Sequence, residues 1–358
     1  MLIARYLKGE LLYQTLKTLE RVSVELTTKC NAACPMCSRF KGDWDKGYWN
    51  TQQPNKEMPL QDLDFKLFKS AFTPDILKNI KEFVFNGKLG DPLIHPDSMK
   101  FFKYIKTHSP NTCIFIFTNA SLRSQNYWKE LADVLGKRDA VKFSIDGLED
   151  TNHIYRQRTD WNKIISNAKT FISNGGAAHW EFLVFKHNEH QVEQAKSFAE
   201  ELKFERFEIR KTNRFKGSDD FYYTSVTGDL KKLSLPNNKQ YVHNSHDDYY
   251  HTVPDVLDID CNFQKENKVF LSFTGKLWPC SYISEYYPMN RSVLDIIEKY
   301  GNTFNDLRFN SISEIFEHEY FKYTLVDSWS TGNNIARECW KKCSKFHSNI
   351  TQVDVKEI

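Results

Sequence analysis

A chain of 358 residues exceeds the usual size of one domain, so a large unit with a smaller attachment is expected. Apolar residues at 40% and charged residues at 27% are ordinary for a soluble globular protein, and no stretch approaches the apolar length of a membrane span. A net charge of +3, with Lys and Arg dispersed, makes no case for a nucleic-acid surface.

Residues 1–20 carry apolar positions at helical spacing interrupted by Lys and Glu, and predict a short amphipathic helix. They lack a small-residue cleavage site, so no export signal is read there and a cytoplasmic protein is expected. From 21 to 215, β-branched and aromatic runs alternate with amphipathic stretches. Strands are predicted near 22–26, 82–85, 113–118, 140–145, 180–185 and 204–209, with helices within 60–72, 124–136, 161–175 and 189–203. Six strands joined by right-handed crossovers predict an α/β fold, a partial (β/α)6 relative of the TIM barrel, with its chemistry at the strand C-termini. The polar stretch 41–59 after the first strand is longer than common connections and is expected to cover the active site. Residues 216–256, polar and tyrosine-rich, break the alternation and are taken as a linker or lid. Residues 257–358 form the attachment, a smaller α+β unit in which KVFLSF and KLWPCSYI flank a turn at Thr274 and Gly275. Aromatics at 15% are assigned to packing rather than to substrate contacts.

The eight cysteines are the most informative count, because a cytosolic chain keeps thiols reduced and clusters them chiefly for metals or catalysis. Cys30, Cys34 and Cys37 stand at C-x3-C-x2-C directly after the first strand. Four thiolates complete a four-iron cluster, so three leave one iron open to a non-protein ligand. Met36, apolar and between two of these cysteines, suits the exclusion of water from a redox site. Cys113, within an apolar strand, reads as a buried small hydrophobe. The polar setting of His243, His246 and His251 reads as a solvated loop or lid rather than a metal site.

The loop LTTKCNAACPMCSRF resembles the signature of the radical S-adenosylmethionine superfamily, C-x3-C-x-Φ-C with an apolar or aromatic residue where Met36 stands. The resemblance implies a [4Fe-4S] cluster whose open iron chelates the methionine part of S-adenosylmethionine and whose electron cleaves it to a 5′-deoxyadenosyl radical. NGKLGDPLIHPD is similar to the family's Gly-Gly-Glu-Pro element, with Gly90, Asp91 and Pro92 matching, Leu89 in place of the first Gly and Asp91 in place of Glu. FTNAS is similar to its Thr-Asn-Gly, and FSIDGLEDTNHIYRQRTDW to its Ser-x-Asp-Gly with a downstream Arg. By that resemblance Asp91 and Gly90 meet the methionyl ammonium, Asn119 lies near the ribose, and Ser144 and Arg156 hold the carboxylate, with Asp146 in the same motif and Arg158 as a rival to Arg156. Lys186, His187 and Asn188 reach the same rim; helix capping accounts for Asn188, and no role is assigned.

Cys261, Gly275 and Cys280 resemble the C-x(9–15)-G-x4-C opening of the SPASM and twitch auxiliary-cluster domains, and Cys339 with Cys343 closes the set. Four remaining cysteines match the shorter twitch type, which implies one auxiliary [4Fe-4S] cluster; a four-cysteine zinc site is the alternative. Closed ligation favours electron transfer or a structural role. The resemblance implies hydrogen abstraction from a substrate, with oxidation or cross-linking of a peptide as the first reading and redox-neutral change of a small molecule, sugar or nucleotide as the second. It also implies a flavodoxin- or ferredoxin-type reductant. A non-catalytic zinc or cluster scaffold is the reading from a different class.

Overall fold

The computed structural model describes residues 13–43, 48–215, 217–243, 258–285, 289–344 and 353–357. Its strands are β1 Arg21–Val24, β2 Phe40–Asp43, β3 Tyr48–Pro54, β4 Glu82–Phe85, β5 Cys113–Thr118, β6 Ala140–Ser144, β7 Ala178–Leu183, β8 Arg206–Arg210, β9 Asp220–Thr224, β10 Leu230–Ser234, β11 Lys268–Leu271, β12 Leu277–Trp278 and β13 Val353–Glu357. The main sheet runs β12-β11-β1-β4-β5-β6-β7-β8-β13 and is parallel from β11 to β8. It carries all six predicted barrel strands in chain order and does not close on itself.

The strands are buried because their sequences leave little choice. In β5 the run Cys-Ile-Phe-Ile-Phe-Thr alternates half-buried and buried positions, and β7 is buried at all but its last residue. Helices lie between them where predicted, at Phe65–Ala71, Gln125–Val134, Trp161–Ser173 and Val192–Glu201. The third begins at Asp160, whose carboxylate accepts from Lys163 N at 3.1 Å, and buries Ile164, Ile165, Ala168 and Phe171. It stops at Gly175 and Gly176; a Cβ on Gly176 would lie 2.4 Å from the Phe171 ring, so the chain can turn back towards β7 only without a side chain there. Aromatic rings fill this layer: Trp128 stacks on Phe143 at 5.4 Å and Phe204 meets Phe143 edge-on at 5.4 Å. Each such burial is worth roughly 1.5–3 kcal/mol, and the packing role assigned to the aromatics holds.

Three features depart from the sequence reading. First, residues 13–20 of the expected N-terminal helix form a turn, in which Thr15 and Thr18 bond to each other, and the rest of that segment lies outside the described residues. Second, the stretch expected as a cover is a β2–β3 ribbon, and β9 and β10 from the expected linker join it in a second sheet of order β10-β9-β3-β2. Third, β11, expected in the attachment, pairs in parallel with β1 and extends the barrel sheet, because Val269, Phe270 and Leu271 bury as deeply as their β1 partners. Among the described residues no helix is long and apolar enough to cross a membrane.

Candidate functional site

The C-terminal ends of the six barrel strands meet around one cavity of about 1010 Å³. β1 leads into the loop with Cys30, Cys34 and Cys37, β4 into Asn86–Asp91, and β5 ends in Thr118 and Asn119. β6 contributes Ser144, β7 contributes Leu183, and the segment after β8 contributes Lys211–Arg214. All three N-terminal cysteines line this space, as do Met36, Gly90, Asp91, Asn119, Ser144 and Arg156. Asp146 does not; it acts from behind.

The cysteine loop is held from several sides. Arg39 donates to the carbonyls of Thr28 and Ala32 at 3.1 Å each, and Ala33 N donates to Gln157 O at 2.8 Å. Trp49 on β3 donates its indole N–H to Cys37 O at 2.7 Å, so the second sheet grips the loop directly. Met36 is buried at φ 65°, a conformation that costs a non-glycine residue on the order of 1–3 kcal/mol, and its side chain packs with Trp49, Phe221 and Tyr223. Burial pushes the Cys34 thiol up to about 11 although the Arg156 guanidinium opposes it, and burial raises Cys30 too, with Asp91 adding. Protonated thiols are what a dry pocket favours until a cation arrives.

The turn after β4 depends on a residue that sequence reasoning missed. Glu25, at the end of β1 and 1% exposed, accepts from the backbone N–H groups of Lys88, Leu89 and Gly90 at 3.1, 3.0 and 2.9 Å. Burial raises its pKa to about 8 against those hydrogen bonds. A Cβ on Gly90 would sit 2.1 Å from Thr27 O and 2.7 Å from Lys29 O, so this position admits only glycine. Leu89, where the family pattern has Gly, is buried against Met58 and Phe273. Asp91 spends its carboxylate on Thr118 Oγ1, Asn119 N and Leu93 N at 2.8–3.0 Å. Asn119 Nδ2 lies 2.8 Å from Asn31 Oδ1 and 3.6 Å from Cys30 Sγ.

Between the two candidate arginines the geometry is decisive. Arg156 lines the cavity, with Nε 2.5 Å from Asp146 Oδ2 and Nη1 3.9 Å from Cys34 Sγ, whereas Arg158 is exposed. Burial works against the Arg156 charge, but Asp146 and Cys34 hold its pKa above the ordinary value. Asn188 stands at the N-cap position of the single turn Glu189–Gln191, as expected, but its side chain makes no capping hydrogen bond. Fully buried, it accepts from Phe185 N at 2.7 Å and donates to Asp146 O at 2.9 Å, which fixes the residue that aims Arg156. An Asn beside a strand end was the available signal, and its partner 42 residues away was not visible in sequence.

Cys261, Cys280, Cys339 and Cys343 line a second cavity, of about 570 Å³. Cys261 opens a one-turn helix, Asn262–Lys265; Cys280 follows β12 and accepts from Ile283 N at 3.4 Å; Cys339 and Cys343 lie on helix Arg337–Cys343. Burial raises Cys280 to about 12 and Cys339 as well, while the Cys343 thiol bonded to Cys261 lowers the latter. Among the described residues no group of three or more His, Cys, Asp and Glu side chains is spaced to hold a single metal ion. The two cavities share Tyr282 and Lys342 as walls, and Lys88 reaches from the first to Ser281 O, next to Cys280, at 2.6 Å. Cys113 stands apart from both. It is half-buried rather than buried, at the N-terminal end of β5 beside Glu82, whose position is likewise half-buried. Of the three histidines, His243 lines the first cavity; His246 and His251 lie outside the described residues.

No protein-family model matches the sequence, and no curated protein matches it significantly. Solved structures do match in fold. SuiB of Streptococcus suis, bound to the precursor peptide SuiA, aligns over 93% of this chain and 68% of its own at 14% identity and a TM-score of 0.50. Native anSMEcpe with bound AdoMet (S-adenosylmethionine) and the Cp18Cys peptide aligns over 92% of this chain and 87% of its own at 12% identity and a TM-score of 0.50. A likeness at this identity speaks to architecture: the partial-barrel α/β fold expected from the alternating strands and helices is the fold this chain adopts and shares with these structures.

Proposed function

We propose that the protein is a radical S-adenosylmethionine enzyme that oxidises or cross-links a peptide. The observation that carries the reading is the convergence of three thiols, Ser144, Arg156 and the Gly90 turn on one cavity at the strand C-termini. The donor set fits the cluster. Three thiols line the cavity with no fourth beside them among the described residues, and the backbone at Gly90 comes close enough to approach a ligand. Cys30, Cys34 and Cys37 would hold a [4Fe-4S] cluster, which with S-adenosylmethionine supplies a 5′-deoxyadenosyl radical able to take hydrogen from a substrate.

The chain's own residues bind and orient. Arg156, aimed by Asp146, and Ser144 would receive the methionyl carboxylate; the turn held by Glu25 presents the backbone of Gly90 near the ammonium, and Asn119 stands by for the ribose. Asp91 contributes by ordering Thr118 and Asn119. Met36 and the second sheet keep water from the loop. Cys261, Cys280, Cys339 and Cys343 would hold an auxiliary cluster, and the wall shared through Tyr282 and Lys342 supports electron uptake from the substrate side. A peptide is preferred as substrate because SuiB and anSMEcpe were solved with peptides. The eight cysteines are free thiols, which suits a reducing cytoplasm and a flavodoxin- or ferredoxin-type reductant.

Anaerobic protein with dithionite is expected to convert S-adenosylmethionine to 5′-deoxyadenosine and methionine. Cys34→Ala abolishes that conversion and keeps the auxiliary iron, whereas Cys339→Ala loses the auxiliary iron and keeps the first cluster. Intact, reducible clusters with no cleavage would refute the enzyme reading, and zinc in either cysteine set would refute the assignment of that set.

A further inference from the structure

We propose that Lys88 is a positioning residue that ties the turn presenting Gly90 to the loop carrying Cys280, so that the second cysteine site shapes the cofactor pocket of the first; this rests on the reading above. One residue serves both sites. Its backbone N–H donates to the Glu25 carboxylate at 3.1 Å, beside those of Leu89 and Gly90 at 3.0 and 2.9 Å, and so belongs to the turn. Its ammonium donates to Ser281 O at 2.6 Å and to Ser284 Oγ at 2.5 Å, partners that lie 193 and 196 positions further along the chain.

The loop is built to receive that charge. Ser284 is fully buried and donates in turn to Ser281 O at 2.8 Å, which closes a triangle around the ammonium. Ile283 N, between the two serines, donates to Cys280 Sγ at 3.4 Å, so the residues that hold the ammonium also hold the thiol. Glu285 fixes the far end by accepting from Thr274 Oγ1 at 2.8 Å. On its other side the ammonium lies 5.1 Å from the centre of the Phe270 ring, on β11. Hydrogen bonds from a cation are roughly twice as strong as neutral ones, and Leu89 adds an apolar contact to Phe273 beside them. A displacement of the Ser281–Ser284 loop is therefore passed to the backbone of Lys88 and on to Gly90 through a continuous chain of bonded groups.

The test uses the full chain, reconstituted anaerobically with iron and sulfide. Lys88→Met keeps the apolar stem and removes the ammonium. The KM for S-adenosylmethionine in reductive cleavage is expected to rise about tenfold with kcat little changed, and Lys88→Arg is expected to restore it in part. Ser284→Ala, at a residue that lines neither cavity, is expected to raise the same KM about threefold alone and to add nothing to Lys88→Met. Hydrogen exchange needs neither cofactor nor turnover: amides at 86–91 and at 281–285 are expected to lose protection together in Lys88→Met. Additive KM effects, or exchange that rises in only one of the two segments, overturn the role of Lys88. A wild-type chain that leaves S-adenosylmethionine uncleaved while both segments respond to Lys88→Met overturns the enzyme reading and supports the tether. Should Lys88→Met fail to fold, Ser284→Ala decides by the same exchange measurement, and unchanged protection at 86–91 sinks the proposal.

Discussion

The two cysteine sites offer the same thiol donors and are built in opposite ways. The first takes its thiols from one loop of eight residues and places them at the mouth of a barrel, where five other strand ends add groups of different chemistry. The second gathers its thiols from residues spread between 261 and 343, on three short elements, and surrounds them with aromatic, aliphatic and charged side chains. A local motif leaves room in its pocket for something else to bind. A dispersed set draws distant segments together, as where Asp260 N donates to Cys343 O at 2.6 Å.

The sharpest way to break this contrast is to disable the polar support of the first site alone. Arg156→Met leaves Asp146 buried without its partner, which should cost about 4 kcal/mol and abolish S-adenosylmethionine binding, while Arg158→Met on the exposed side changes stability by less than ~0.5 kcal/mol. Calorimetric binding and urea midpoints check both; equal effects of the two substitutions would remove Arg156 from the site. Next in size, Gly90→Val forces a Cβ against Thr27 O and should destabilise by about 3 kcal/mol, with iron lost from the first set and kept by Cys261 and its partners. Loss of both clusters together would mean that the two sites fold as one unit.

A smaller effect separates them by pH. His187 stacks on Phe185, which packs in the same cluster as Met36, and burial, with His153 and His190 adding, lowers its pKa to about 4. The folded chain therefore binds fewer protons than the unfolded one. The stability this group contributes is complete above the ordinary histidine value near 6.5 and is lost as pH falls through about 4. Between pH 7 and 5 that loss is about 2 kcal/mol, and His187→Gln should flatten it in urea titrations at the two values. A wild-type curve as flat as the variant's would show that His187 is not buried in solution.

Much of this protein is readable before folding. Residue types that recur at short spacing show directly: the strand β5 alternates, the helix Trp161–Ser173 is capped by its own Asp160, and Cys30, Cys34 and Cys37 sit within one loop. These are local patterns, set by two or three neighbouring residues and the geometry of helix and strand. What only the tertiary structure decided is non-local. Tyr48 pairs with Tyr222 across 174 positions to make the second sheet, β11 joins β1 from the far end of the chain, Glu25 finds the turn at Gly90, and the Asn188 side chain serves Asp146. The choice of Arg156 over Arg158 belongs here too, because two arginines two positions apart in sequence differ in which one the fold turns towards a buried carboxylate. Such pairings depend on which distant surfaces bury together, and burial is a property of the whole chain.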